Sequence, residues 1–321
     1  MKDFFKELIF WVVYMSGINR IYRAVYKKQI KNKLAEFKLS DLIVSVEPSN
    51  ICNSKCVMCP YTKMIRPKEV MSIDLFKKIV DDCYNEGIRN FNLNFYNEPF
   101  LDSLIFDRIK YLKSKGLKVS LYSNGSVVNE SIYDKIFESG IDRISFSVDG
   151  VKKETYEKIR KGLNFEETTK NIIGLIKRKR DKGFLHPKIR VVFVRQKDNK
   201  NEVGEYKNFW KDKADSIVIS TDDNRNSNSG FFKYLRSKKP FPCRKIWTET
   251  IVMSNGKVAL CCIDADGEVV LGDFNKQTLR QIWESAKFKK IREFHLNYEA
   301  DKITLCKNCL HPYRMNLKSW W

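Results

Sequence analysis

Apolar residues along this chain follow two spacings that take turns. Short runs rich in Val, Ile, Leu and Phe are separated by stretches in which apolar residues recur every three or four positions. The first spacing suits a buried strand and the second a helix with one inward face. The pattern predicts strands at Leu42–Glu47, Arg89–Phe95, Lys118–Tyr122, Arg143–Val148, Lys188–Arg195 and Asp215–Ser220. Between them it predicts helices at Ser72–Asn85, Leu104–Lys115, Glu130–Ser139, Phe165–Lys182 and Glu202–Lys211. Strand and helix alternating in this way give an α/β fold, a parallel sheet wrapped by helices. A hairpin, Thr248–Met253 and Lys257–Cys261 around Ser254-Asn255-Gly256, is expected later in the chain.

The loop after the first strand changes the picture from architecture to chemistry. It reads Ser49-Asn50-Ile51-Cys52-Asn53-Ser54-Lys55-Cys56-Val57-Met58-Cys59-Pro60 and places three thiols within eight residues. A tetrahedral zinc site needs four ligands, and the three histidines, His186, His295 and His311, are remote in sequence. Nine cysteines are an odd number, and the chain shows no cleavable signal, so a disulfide framework is not expected. An iron-sulfur cubane normally takes four protein thiolates; a loop that offers three leaves one iron open to another ligand. Cys83, on a predicted helix, reads as core.

Placed just after a strand, the C-x3-C-x2-C loop resembles the signature of radical S-adenosylmethionine (SAM) enzymes. The resemblance implies a [4Fe-4S] cluster on Cys52, Cys56 and Cys59, with SAM chelated to the open iron. An electron from the cluster then breaks the sulfonium, and the 5'-deoxyadenosyl radical takes a hydrogen atom from substrate. It also implies a partial (β/α)6 TIM-like barrel with its active site at the strand C-termini. Tyr96-Asn97-Glu98-Pro99 is similar to the family's Gly-Gly-Glu element, with Asn97 in place of the second glycine. Ser123-Asn124-Gly125 matches the ribose contacts, and Ser147-Val148-Asp149-Gly150 a further contact. The implied cofactor-binding residues are therefore Met58, Asn97, Glu98, Ser123, Asn124 and Ser147. Taken singly, each of these motifs also reads as a polar turn. Asp149 and Arg160 are the catalytic candidates. Arg160 has a fork suited to a carboxylate, and a solvated helix-end arginine is the alternative; Gln196 is a further pocket candidate.

A second cysteine set follows a polar stretch beginning at Thr221. Cys243, Cys261, Cys306 and Cys309 resemble the auxiliary-cluster domain called SPASM, or its shortened form called twitch. A full SPASM domain continues with further cysteines, and this sequence shows none after Cys309. One auxiliary [4Fe-4S] cluster on those four residues is expected, with a zinc ribbon as the alternative. Cys262, on the opposite face of the strand from Cys261, reads as packed. The organisation expected is residues 1–40 as basic amphipathic helices, 41–221 as the partial barrel and 222–242 as linker. Residues 243–321 form a small cysteine-rich α+β auxiliary-cluster domain.

Charge adds a boundary condition. The net charge is +21, from 60 basic and 39 acidic residues, but no binding motif accompanies it, so no nucleic-acid partner is expected. Phe4 to Met15 is apolar but too short to span a membrane, and basic residues follow it through an apolar periodicity of Ile21, Tyr22, Val25, Ile30, Leu34 and Phe37. This segment either contacts an anionic membrane surface peripherally or packs across the open side of the barrel. With no cleavage site, and with reduced iron-sulfur chemistry, the expected location is the cytoplasm. The first functional reading is oxidation of a sugar or aminocyclitol hydroxyl of a small-molecule substrate, with flavodoxin or ferredoxin as electron donor. Asp149, Arg160, or an acid of Asp264-Ala265-Asp266 would handle the proton. The alternatives are a peptide-modifying maturase, a radical epimerase with Cys262 as hydrogen donor, and a zinc-stabilised binding protein without catalysis.

Overall fold

A computed structural model describes residues 18–221, 242–307 and 309. The apolar segment Phe4–Met15 and nearly all of the expected linker lie outside the described residues. Strands β1 (Ile43–Val46), β2 (Asn90–Asn92), β3 (Lys118–Ser123), β4 (Arg143–Ser147), β5 (Lys188–Arg195) and β6 (Ser216–Thr221) lie side by side in chain order, all parallel. Helices fill the crossovers, as the partial (β/α)6 arrangement requires. After α1 (Ile18–Glu36) come α2 (Ile73–Asn85), α3 (Ile105–Ser114), α4 (Glu130–Glu138), α5 (Lys153–Ile159), α6 (Phe165–Asp181) and α7 (Val203–Trp210).

The local reasons are visible in α2. Ser72 caps it by accepting a hydrogen bond from the Leu75 amide, and Phe76, Ile79, Val80 and Cys83 recur at helical spacing on the buried face. Cys83 is thus core, as expected. Asn129 and Asn164 cap α4 and α6 in the same way. Beneath the helices, Val44, Phe91, Val119, Leu121, Ile144, Phe146, Val191 and Phe193 form the centre of one continuous apolar core. The second expected strand shortens to Asn90–Asn92, because the chain beyond it bends towards the cysteine loop.

The sheet does not stop at β1. Strand β7 (Glu249–Val252) pairs parallel with β1, Val46 facing Val252, and β8 (Lys257–Ala259) and β9 (Val270–Asp273) extend it antiparallel. One nine-stranded sheet results. The expected hairpin is present, with shorter strands, and Gly256 turns it at φ 81°. Helices α8 (Lys245–Thr248), α9 (Leu279–Trp283), α10 (Ala286–Leu296) and α11 (Thr304–Lys307) complete the C-terminal part. Of these later elements only the hairpin was predicted.

Helix α1 sits against this C-terminal part. Tyr26 and Ile30 enter the core, the Tyr298 hydroxyl donates to the Arg23 carbonyl at 2.6 Å, and Phe37 stacks on Trp283 at 5.9 Å. Of the described stripe, Ile30 is turned towards protein, whereas Val25 is 46% exposed. No helix among the described residues is long and apolar enough to cross a membrane.

Phe91, 1% exposed at the middle of β2, provides a test of the core. Phe91→Ala should destabilise the chain by about 3–5 kcal/mol, measured by chemical denaturation.

Candidate active site

The cysteine loop leaves the C-terminal end of β1 and is tied down on several sides. The Cys52 amide donates to the Tyr61 hydroxyl at 2.8 Å, and the Cys59 amide to the Cys56 carbonyl at 3.0 Å. Lys55 and Val57 donate backbone hydrogen bonds to the carbonyls of Lys161 and Ile159, which fastens the loop to the end of α5. On the other side Asn53 accepts from Asn124 Nδ2 and donates to Ser126 Oγ, both at 2.8 Å. The Ser54 hydroxyl stands between two of the thiols, 3.2 Å from Cys52 Sγ and 3.4 Å from Cys56 Sγ. All three thiols line one cleft.

Opposite them the ends of β2, β3 and β4 supply the rest of the cleft. Its walls are Cys52, Cys56, Cys59, Glu98, Ser123 and Arg160, with Asn97, Asn124, Ser147 and aromatic side chains around them. Three motifs remote in sequence therefore meet the cysteine loop, because each follows a neighbouring parallel strand. Met58 is half-buried in the loop, and neither it nor Asp149 nor Gln196 is among the cleft-lining residues.

Glu98 is a strongly perturbed carboxyl. It is 1% exposed and accepts from Ser123 Oγ at 2.8 Å, the Asn124 amide at 2.6 Å and the Phe100 amide at 3.3 Å. Burial pushes its pKa up to about 7, against those donors and Arg160, which pull it down. Asn97 spends its Oδ1 on the Phe95 amide at 2.9 Å, while its Nδ2 is buried without a hydrogen-bond partner among the described residues. An orphan donor in the wall of a cleft is what a polar ligand would satisfy.

Asp149 differs from its expected role. Its carboxylate is fully buried, accepts from Arg160 at 2.6–2.7 Å and takes the Val194 amide at 2.7 Å. It anchors Arg160, whose Nη1 reaches 3.5 Å from Cys56 Sγ. Burial works to lower the Arg160 pKa, but Asp149 and Cys56 overcome it and hold the guanidinium charged. Arg160 is accordingly no solvated helix-end residue. Burial also raises the Cys52 and Cys59 thiols.

The second thiol set gathers at the C-terminal part. Burial lifts Cys243 to about 12, with Cys309 and Cys262 raising it further, and burial raises Cys306, with Cys243, Cys309 and Asp264 adding to it. Cys261 is raised by burial and then by Cys262 and Cys243. Cys262 packs against the cluster of Ile251, Met253 and Ala259, as expected, but not for the reason of strand alternation, since β8 ends at Ala259. Its carbonyl accepts from the Tyr96 hydroxyl at 2.8 Å, and Tyr96 lines the catalytic cleft. Asp264 and Asp266 are not free acids either. Asp264 accepts from the amides of Leu260, Glu268 and Val269, and Asp266 from those of Ile65 and Arg66. Sequence reasoning missed His295, buried between Cys243 and Cys306, with burial lowering its pKa to about 4. Its sole signal was a polar residue on the inward face of a helix.

The Glu98 shift has a measurable sign. Between about pH 4.5 and 7 the folded metal-free chain keeps a proton that the unfolded chain has lost, so this group's contribution to stability falls as pH rises through that window. Up to about 3 kcal/mol is at stake. Denaturation at several pH values should show that loss in the parent relative to Glu98→Gln, with the difference flat above pH 7.

Residues 46–209 match the family model described as the radical SAM superfamily, and residues 243–310 match SPASM, an iron-sulfur cluster-binding domain. A probable GTP 3',8-cyclase of Methanococcus maripaludis is 33% identical over 133 residues, 40% of this chain and 43% of that protein. The chain spans about half the length of the curated relatives it matches. Among solved structures, BtrN in complex with AdoMet and 2-DOIA overlays with a TM-score of 0.57 at 17% identity, covering 87% of this chain and 94% of that one. SuiB of Streptococcus suis bound to precursor peptide SuiA gives 0.65 at 14% identity, covering 87% and 73%. The first domain implies a [4Fe-4S] cluster and SAM, the second auxiliary iron-sulfur. With these matches, and with three thiols, an orphan amide and a buried acid around one cleft, the chain belongs to the radical SAM superfamily and carries a C-terminal SPASM domain.

Proposed function

We propose that this enzyme oxidises a hydroxyl of a small sugar or aminocyclitol, using SAM as the source of the hydrogen-abstracting radical. The observation that carries the radical step is the meeting of Cys52, Cys56 and Cys59 with Glu98, Ser123, Asn124 and Ser147 around one cleft. Held by Cys52, Cys56 and Cys59, a cluster with SAM would supply sulfonium cleavage and hydrogen-atom abstraction, and one auxiliary [4Fe-4S] cluster held by Cys243, Cys261, Cys306 and Cys309 would supply the acceptor for the second electron of CH–OH oxidation, the hydroxyl proton leaving to water. In this reading residues 41–221 form the catalytic core and 243–321 the auxiliary part.

The chain's own residues have narrower tasks. Glu98 and the unpartnered Asn97 Nδ2 meet the polar end of SAM, with Ser123, Asn124 and Ser147 beside it. Arg160 holds positive charge beside Cys56, and Asp149 holds Arg160. Asp149 is therefore a positioning residue and not the proton acceptor, since its oxygens are already engaged. Support for a small substrate comes from the extent of the fold: BtrN, bound to 2-DOIA, is covered over 94% of its length. Modification of a peptide is the second reading, favoured by the higher TM-score of the SuiB complex with its precursor peptide. An electron donor of flavodoxin or ferredoxin type and a cytoplasmic location accompany either reading.

Anaerobic reconstitution should yield about eight irons per chain, as two four-iron clusters require, and reduction with SAM should release 5'-deoxyadenosine. Replacing Cys52, Cys56 and Cys59 together by Ala should abolish the nucleoside and leave about four irons. With a substrate deuterated at its carbinol carbon, the label should appear in 5'-deoxyadenosine and the product should lose two hydrogens. A product of unchanged mass would identify an epimerase, and label acquired only from peptides a maturase; either would displace the oxidase reading.

A further inference from the structure

His295, on α10, is fully buried and lies edge-on to Trp247, with ring centroids 6.3 Å apart. Its Nδ1 accepts a hydrogen bond from the Cys243 amide at 3.2 Å. Its Nε2 lies 3.6 Å from Cys306 Sγ. These two contacts determine the tautomer. A backbone amide can only donate, so Nδ1 must present its lone pair, and the ring proton of the neutral imidazole then sits on Nε2. The N–H on Nε2 consequently faces the Cys306 sulfur.

We propose that His295 is a positioning residue for the auxiliary iron-sulfur site, donating its Nε2 proton to Cys306 Sγ while Nδ1 holds the backbone of Cys243. The inference rests on the reading of Cys243, Cys261, Cys306 and Cys309 as the cluster ligands. A hydrogen bond to a ligating sulfur draws charge away from it and favours the form of the cluster carrying one more electron, which raises the reduction potential. A nitrogen that carries this proton has no lone pair for iron, so His295 tunes the site and does not ligate it. Two of the four thiols thereby answer to one ring, although Cys243 and Cys306 are 63 residues apart.

The test uses the full chain with Cys52, Cys56 and Cys59 replaced by Ala, so that signals come from the auxiliary cluster alone. EPR-monitored redox titration is compared for this parent, His295→Phe and His295→Gln. Phe keeps a ring against Trp247 but no donor, and its midpoint should fall by about a tenfold loss of the reduced form at fixed potential, equivalent to about 59 mV for one electron. Gln keeps a donor and should stay near the parent. In the parent itself, labelled with 15N-histidine, pulsed EPR should show a weakly coupled histidine nitrogen and a solvent-exchangeable proton near the reduced cluster. An unchanged midpoint in an iron-replete Phe variant overturns the proposal, as does a directly bound histidine nitrogen or none at all in the parent. A parent that assembles no four-iron cluster overturns the ligand reading beneath it, and iron analysis separates that failure from the others.

Discussion

A buried ion pair holds this molecule's working parts in register. Glu47, at the end of β1, is completely buried, and Arg66 grips it with two hydrogen bonds of 2.8 and 3.0 Å. Taking two charges out of water costs several kcal/mol per ion, and the pair is tolerable only when its remaining valences are filled. Here they are. Glu47 also accepts from the Tyr96 and Ser254 amides, and Arg66 donates Nε to the Ala265 carbonyl at 2.6 Å. Four segments are thereby joined at one point: the base of the cysteine loop, the chain running into Glu98, the β7–β8 turn and the loop after Cys261 and Cys262. Loosening the pair would leave an uncompensated charge in the core, so breaking it is costly.

The same logic recurs closer to the chemistry. Asp149 and Arg160 form a second buried pair, at one wall of the cleft, and its free face is turned to Cys56. Burial raises the thiols of Cys52 and Cys59, so these two hold their protons until metal displaces them. The neighbouring guanidinium works in the other direction on Cys59, lowering its pKa. A cleft that resists ionisation when empty, yet keeps a fixed cation beside it, is arranged for anionic sulfur supplied together with iron.

Much of this was legible in the chain, for a reason rooted in periodicity. Parallel strands buried on both faces read as unbroken apolar runs, so Lys188–Arg195 was placed to the residue. Capped helices such as Ile73–Asn85 were placed to within one residue, because Ser72 marks the start. The three-thiol spacing is local, and so it was visible without any fold. What stayed hidden depends on distant pairing. The parallel match of β7 with β1 brings together residues about 200 positions apart, the Glu47–Arg66 pair carries no local signature, and His295 looks like any helical histidine until Cys243 and Cys306 close around it. Asp149 was singled out for chemistry, but a partner eleven residues away claims its carboxylate, which no single-residue reading could foresee.

Continuity of the sheet bears on how two redox sites would work together. The cysteine loop follows β1, and Cys261 of the second thiol set follows β8, two strands further along the same ladder. Tyr96 completes the connection, with its ring in the wall of the catalytic cleft and its hydroxyl on the carbonyl of Cys262, next to Cys261. Sites built on neighbouring strands keep their separation better than sites on loops, and the Glu47–Arg66 pair removes the remaining freedom of the loops that reach between them.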